Sequence, residues 1–379
     1  MSSATRAQSP YSGWPNGPSA DPSFFPIAVW YQNAKNAAAY AAIGVNTYVA
    51  LQDGPTDEVL GLLRTAGIRA VAHQGEEGLK HLDDPTIAAW MHGDEPDNAQ
   101  ETPEGSYGPA IPPQKIIDDY HAIQQRDPTR PVLLNVGQQV ANDEWYGRGC
   151  EVTAYPEYTK ACDVVSYDVY PVVGIDKPDG ENYLWYVAKG VDRLRRWAGY
   201  KKPVWNCIEC THISQPEEKA MPHQVKVEVW MSLIHGSAGI IYFCHEFKPE
   251  FNDAGLLADA EMSAMVKAIN RQIVDLAPVL NAPTVDDAAL VTTMNPLVPI
   301  DLMAKQHGGA LYVFAAGMRN AEAAGRFRIP GVENGAAEVL GEGRTLEVQG
   351  REFRDTFAPY DVHLYKITAV QPGGTEGCE

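Results

Sequence analysis

Short apolar runs alternate with helix-like segments eight times along the first two-thirds of this 379-residue chain, which predicts an α/β fold, a (β/α)8 TIM barrel. The competing doubly wound sheet lacks its usual mark, because no glycine-rich phosphate turn follows the first strand. Beyond Pro283 the helical period disappears and only strands and turns follow, so a small C-terminal antiparallel β-sandwich domain is expected. The expected partition is an N-terminal extension at 1–22, the barrel at 23–282, the β-sandwich at 283–370 and a tail at 371–379.

The elements follow in order. Residues 24–31 read as the first strand, and the alanine-rich stretch 34–43 as a helix closed by Gly44. Residues 45–51 form the second strand. Thr56 caps the next helix, whose Asp57 and Glu58 favour its positive end, and Gly67 stops it before the third strand at 68–73. The fourth strand is 87–93, followed by a helix at 114–125 and a fifth strand at 131–136. The sixth strand at 164–170 follows a loop carrying Trp145, Tyr146 and Tyr155, and a helix at 184–197 leads to the seventh at 203–208. Val225, Val229 and Leu233 recur at helical spacing within 224–234; Gly236 and Gly239 turn the chain into the eighth strand at 240–244, and a long helix covers 260–276. In the β domain, strands are expected at 289–293, 310–315, 326–329, 337–340, 345–348 and 362–367.

A formal charge of −19 opposes a nucleic-acid backbone or an anionic membrane as partner and favours a neutral substrate. Residues 1–20 lack the apolar core of a signal peptide and no later run is long enough to span a bilayer, so a soluble chain is expected. Secreted and periplasmic locations stay open, since an export signal is absent from a processed chain. The six cysteines lack the density of a disulfide scaffold; Cys150 and Cys162 flank one loop, and their pairing is the less favoured reading.

In such barrels the reactive groups project from the C-terminal strand ends. The fourth strand ends in His92-Gly93-Asp94-Glu95-Pro96, an abrupt switch from apolar residues to carboxylates that burial disfavours unless a function offsets it. Period-two alternation places Ala89, Met91, Gly93 and Glu95 on one face, and Trp205, Cys207 and Glu209 together on the seventh strand. Two carboxylates at one barrel mouth are what glycoside hydrolysis needs, one protonated to assist the leaving oxygen and one ionised. Asp94, Gln74, Asn135, Tyr170, His245 and Glu246 also fall at strand ends and are candidate substrate contacts, with Trp30 and Tyr31 as aromatic platforms for sugar rings. No cofactor and no metal are expected. Two alternatives remain: a metal-dependent hydrolase drawing on His73, His92, Asp94, His245 and Glu246, and a barrel that binds carbohydrate without cleaving it.

The order of an Asx-Glu-Pro motif on strand four and a lone Glu closing strand seven resembles clan A glycoside hydrolases. The stretches Asp163-Val164-Val165-Ser166-Tyr167-Asp168-Val169-Tyr170-Pro171 and His235-Gly236-Ser237-Ala238-Gly239-Ile240-Ile241-Tyr242-Phe243 look like those of family 42-type β-galactosidases. That resemblance implies a retaining hydrolase of β-linked glycosides, with Glu95 as acid/base, Glu209 as nucleophile and Tyr170 beside the nucleophile. Asp94 departs from the pattern, which has Asn before the acid/base as a donor to the sugar 2-hydroxyl.

Overall fold

The computed structural model describes residues 9–145, 149–174 and 180–369. They divide into two compact units that meet in sequence at Ala277 and Pro278. No described helix is long and apolar enough to cross a membrane.

The first unit is a closed barrel of eight parallel strands: β1 (Ile27–Gln32), β2 (Thr47–Leu51), β3 (Arg69–His73), β4 (Ile87–Asp94), β5 (Val132–Val136), β6 (Val164–Asp168), β7 (Val204–Glu209) and β8 (Gly239–Phe243). Each strand pairs with its sequence neighbour, and β8 closes onto β1 through Ile27–Ile240 and Ala28–Ile241. These strands are buried on both faces, which is why they read as continuous apolar runs. Local signals act as expected: the Thr56 hydroxyl accepts from Val59 N at 3.3 Å, and Gly67 ends the helix Asp57–Ala66 at φ 72°.

The barrel interior is filled by Trp30, Met91, Leu133 and Trp205 among smaller residues such as Ala28 and Ala89. Trp205 lies so close to β8 that a Cβ on Gly239 would stand 2.7 Å from its indole, so only glycine fits there. The lead segment straps the N-terminal end of the barrel. Its Tyr11 is buried, donates to Ala238 O at 3.0 Å and accepts from Trp205 Nε1 at 2.8 Å.

The second unit holds eight antiparallel strands rather than the six expected: β9 (Leu290–Thr293), β10 (Ile300–His307), β11 (Ala310–Gly317), β12 (Ala323–Arg328), β13 (Asn334–Val339), β14 (Arg344–Gln349), β15 (Glu352–Phe357) and β16 (Val362–Ala369). They form one sheet in the order β10-β11-β16-β13-β14-β15-β12-β9, folded around a core that includes Phe327, Phe353 and Tyr365. The unforeseen β15 buries Phe353, Asp355 and Phe357 on one face. A carboxylate among phenylalanines breaks the hydrophobic alternation, and it is tolerated because Arg344 grips it with two bonds of 2.8 Å while Tyr365 donates at 2.9 Å. The other, β10, buries Met303, Ala304 and Lys305 in succession and so lacks alternation as well.

Candidate active site

The site begins with an irregularity in β4. Met91 pairs with Leu133 but Asp94 pairs with Asn135, so three steps on β4 match two on β5. This bulge resets the alternation: Ala89 and Met91 face the barrel interior as expected, but Asp94 takes the inward register that simple period two assigned to Gly93. Asp94 Oδ1 then accepts from Asn135 Nδ2 at 2.9 Å, and the same amide nitrogen donates to Asp168 Oδ1 at 3.2 Å. Ser166 Oγ, donating to Asn135 Oδ1 at 2.8 Å, fixes the amide orientation. Asn135 is thus a buried brace between two carboxyls rather than an open ligand.

Four carboxyls crowd this corner. Burial first, then the charges of Glu95, Asp94 and Asp97, push Asp168 well above the usual carboxylate range. Asp94 is exposed at the mouth, yet protein packed around its carboxyl, with the charge of Glu95, raises it to about 6 against the Asn135 hydrogen bond. Asp97, fully buried, is raised by desolvation to about 6; Tyr155 Oη donates to it at 2.7 Å and Gly137 N at 3.0 Å, and both oppose the rise. Carboxyls packed so closely oppose one another's ionisation, which favours protonated forms in this corner.

Glu95 sits at φ 42°, a left-handed conformation that is costly for a glutamate and is held by its surroundings. Its N–H donates to Asn135 O at 3.0 Å, and its Oε2 accepts from Asn98 Nδ2 at 3.1 Å. Gly137 leaves the space that the carboxyl occupies, since a Cβ there would stand 2.7 Å from Glu95 Oε1. Asp97 in turn grips the Gly137 N–H, so the acid two residues after Glu95 fixes the floor beneath it.

Glu209 ends β7, as the sequence indicates, but it has no exposed surface. Val172 N donates to its Oε1 at 2.7 Å and Val173 N to its Oε2 at 2.9 Å. Burial raises its pKa to about 7 in spite of both amides, and Glu228, a fully buried carboxyl on the helix Pro222–Ile234, is its electrostatic neighbour. Tyr170 packs against Phe243 with ring centroids 5.2 Å apart. Burial and the charge of Asp168 raise its phenol, placing it toward the acidic corner.

Other expected contacts separate into those at the mouth and those behind it. Trp30 belongs to the barrel interior and is 9% exposed, whereas Tyr31 is 43% exposed at the rim. His245, whose pKa burial lowers, lies among rim aromatics, and Glu246 is tied to His212 Nδ1 at 2.6 Å. Gln74 is a correction. It is buried behind the barrel wall and donates to Ile123 O of the helix Pro113–Arg126 at 3.1 Å, so it does not meet the mouth.

Trp90 likewise turns away, donating to Asp127 at 2.9 Å, and His92 pairs with Ile116 O at 2.8 Å. With His92 and Glu246 so engaged, the metal-ligand set disperses, and among the described residues no three such side chains are grouped to hold an ion. Cys150 and Cys162 are both free thiols. Tyr146 and the tail 371–379 lie outside the described residues. The sequence places Asp168 at the end of the sixth strand without assigning it a role, whereas Asp97 carries no signal apart from following Glu95 by two.

A closed parallel barrel with carboxyls clustered at its C-terminal strand ends, followed by an antiparallel β unit, places the chain in the class of (β/α)8-barrel proteins with an appended β domain. A catalytic mutant of a GH42 β-galactosidase from G. stearothermophilus has a similar fold, with a TM-score of 0.58 and 9% identity over 91% of this chain and 98% of that one. AmyP bound to maltotriose matches at a TM-score of 0.53 and 10% identity, covering 92% and 98%. A maltogenic α-amylase, AmyB from Thermotoga neapolitana, matches at 0.52 and 9% identity, covering 92% and 100%. At such identities the likeness is one of fold. No protein-family model and no curated protein matches the sequence.

Proposed function

We propose that the protein is a glycoside hydrolase acting on a neutral carbohydrate at the C-terminal mouth of its barrel. The observation that carries this reading is the cluster of Asp94, Glu95 and Asp168 around Asn135, in which burial and neighbouring charge push the Asp168 carboxyl upward, toward holding its proton. Cleavage of an O-glycosidic bond needs an asymmetry between carboxyls: a proton delivered to the leaving oxygen and a carboxylate to attack or to activate water. Asp168, whose carboxyl burial and its acidic neighbours push upward, is assigned the proton donor's part, and Glu95 the part of the carboxylate working with it.

A second reading keeps Glu95 as acid/base and Glu209 as nucleophile in a retaining double displacement on a β-linked glycoside. In its favour, two backbone amides address the Glu209 carboxyl, an arrangement that stabilises the ionised form a nucleophile requires. It demands that the segment carrying Val172 and Val173 withdraw, because Glu209 has no exposed surface and its carboxyl is held by their amides.

A panel of aryl glycosides assayed with Glu95→Gln, Asp168→Asn and Glu209→Ala separates the readings. The first expects kcat to fall by about 10²- to 10⁴-fold in Glu95→Gln and Asp168→Asn. Recovery of Glu209→Ala by azide, with a glycosyl azide as product, establishes the second. Full activity in Glu95→Gln defeats both, and loss of wild-type activity to a chelator moves the chemistry to a metal.

A further inference from the structure

We propose that the rim between the ends of β8 and β1 is a carbohydrate subsite built by Tyr31, Phe247 and Phe251, so that the substrate is a neutral oligosaccharide rather than the glycoside of a single sugar. The proposal rests on the glycosidase reading above and extends it to the length of the ligand.

Most large apolar side chains of the barrel unit are buried, but Tyr31, Phe247 and Phe251 are 43%, 43% and 65% exposed and stand together. All three gather around the buried His245, with ring centroids 6.2, 6.1 and 6.2 Å from it, and Phe247 and Phe251 are 5.6 Å apart. Clustered exposed aromatics mark a surface that binds something.

The platform is also held in place. Glu246 and Asn252 exchange backbone hydrogen bonds of 2.9 and 2.8 Å that close the loop carrying both phenylalanines, and Phe247 N donates to His212 O at 2.8 Å. Tyr31 is fixed at φ 47°, with Gln52 Nε2 donating to its carbonyl at 3.0 Å. Backbone strain kept at an exposed ring fits a ligand contact better than packing.

Continuity with the acids supplies the rest. Phe243 lies 5.3 Å from His245 and 5.2 Å from Tyr170, whose phenol feels the charges of Asp168, Glu95 and Asp94. A run of rings therefore leads from the acidic corner to the rim, in steps comparable to the width of a sugar ring. Polar groups beside it, Gln52, Asp253 and the Glu246–His212 pair, offer mainly carboxylate acceptors for hydroxyl donors. An apolar lipid or protein face laid there would strip water from those carboxylates without replacing their hydrogen bonds, and an anionic ligand would be repelled. A sugar chain satisfies both requirements, with C–H faces on the rings and hydroxyls toward the acids.

Calorimetric titration of the full chain carrying Glu95→Gln, against cello-, laminari-, xylo- and manno-oligosaccharides of one to six units, tests this without turnover. Affinity for at least one series is expected to rise with length, and Phe251→Ala or Phe247→Ala to flatten that rise by about 3- to 10-fold each at the longest members. Both side chains are exposed, so melting temperatures should stay close to the parent value. Affinity independent of length, a length dependence untouched by both variants, or no binding in any series overturns the proposal. So does concentration-dependent self-association that Phe251→Ala abolishes, which would assign the patch to a second copy. Turnover of aryl glycosides without length-dependent binding would leave the glycosidase reading standing and remove only the subsite; length-dependent binding in a protein that cleaves nothing would do the reverse.

Discussion

Gly137→Ala probes the packing beneath Glu95 without replacing a reactive group. Gly137 has φ −82° and ψ −175°, a backbone any residue accepts, so the substitution introduces only a methyl group. That methyl would lie 2.7 Å from Glu95 Oε1 and 3.2 Å from its carboxyl carbon, whereas ordinary contact begins at 3.4 Å. The flexible side chain gives way before the backbone does, and the carboxyl retreats by about 0.7 Å or more. Stability should hardly change, because replacing glycine at a compatible position gains about 0.4–1 kcal/mol from the unfolded chain and offsets the local crowding. Misplacing a reacting group by about 1 Å costs on the order of 10²-fold in rate, or about 2.7 kcal/mol. On the glycosidase reading, kcat/KM on the best aryl glycoside should thus fall between about 10- and 100-fold while the melting temperature stays nearly constant. Unchanged kcat/KM in a folded variant would show that the Glu95 carboxyl position is not critical. A large loss of melting temperature would show that the backbone, not the side chain, yields.

Two further predictions concern stability. Asp94 and Asp97 are raised to about 6 and Glu209 to about 7, so the native state holds protons that the unfolded chain has already lost, and stability should decline as pH rises from about 4 to about 7. Melting temperatures measured from about pH 5 to 8 should fall, and a rise would refute the buried-acid account. Tyr11→Phe removes the acceptor of the Trp205 N–H inside the barrel floor and should cost about 1–3 kcal/mol by urea unfolding; no measurable cost would mean that water replaces the hydroxyl.

The barrel was legible because parallel strands covered on both faces leave uninterrupted apolar runs, and because Thr56 and Gly67 mark their helix ends by local chemistry that tertiary packing does not override. In the β domain Asp355 holds an inward position through partners on other strands, and a strand that depends on Arg344 and Tyr365 for its inward polarity has no signature of its own. The mouth was legible where it depended on strand ends, as with Glu95 and the exposed Tyr31. It was not where it depended on register or on loops. Gln74 follows β3 but turns backward toward a helix, and Glu209 is covered by amides of a segment 36 residues away in sequence that no spacing rule connects to it.

The extra residue in β4 has a consequence for how such a site can arise or be lost. In a regular strand two neighbouring carboxylates must face opposite sides, one toward the barrel and one toward the helices. Here a length change of one position between Met91 and Asp94 puts Asp94 in the inward register, and the left-handed backbone at Glu95 brings the next acid to the same corner. The chemistry is encoded in a count as much as in residue identities. A deletion within that stretch, leaving Asp94 and Glu95 themselves untouched, would dismantle the corner as surely as replacing them.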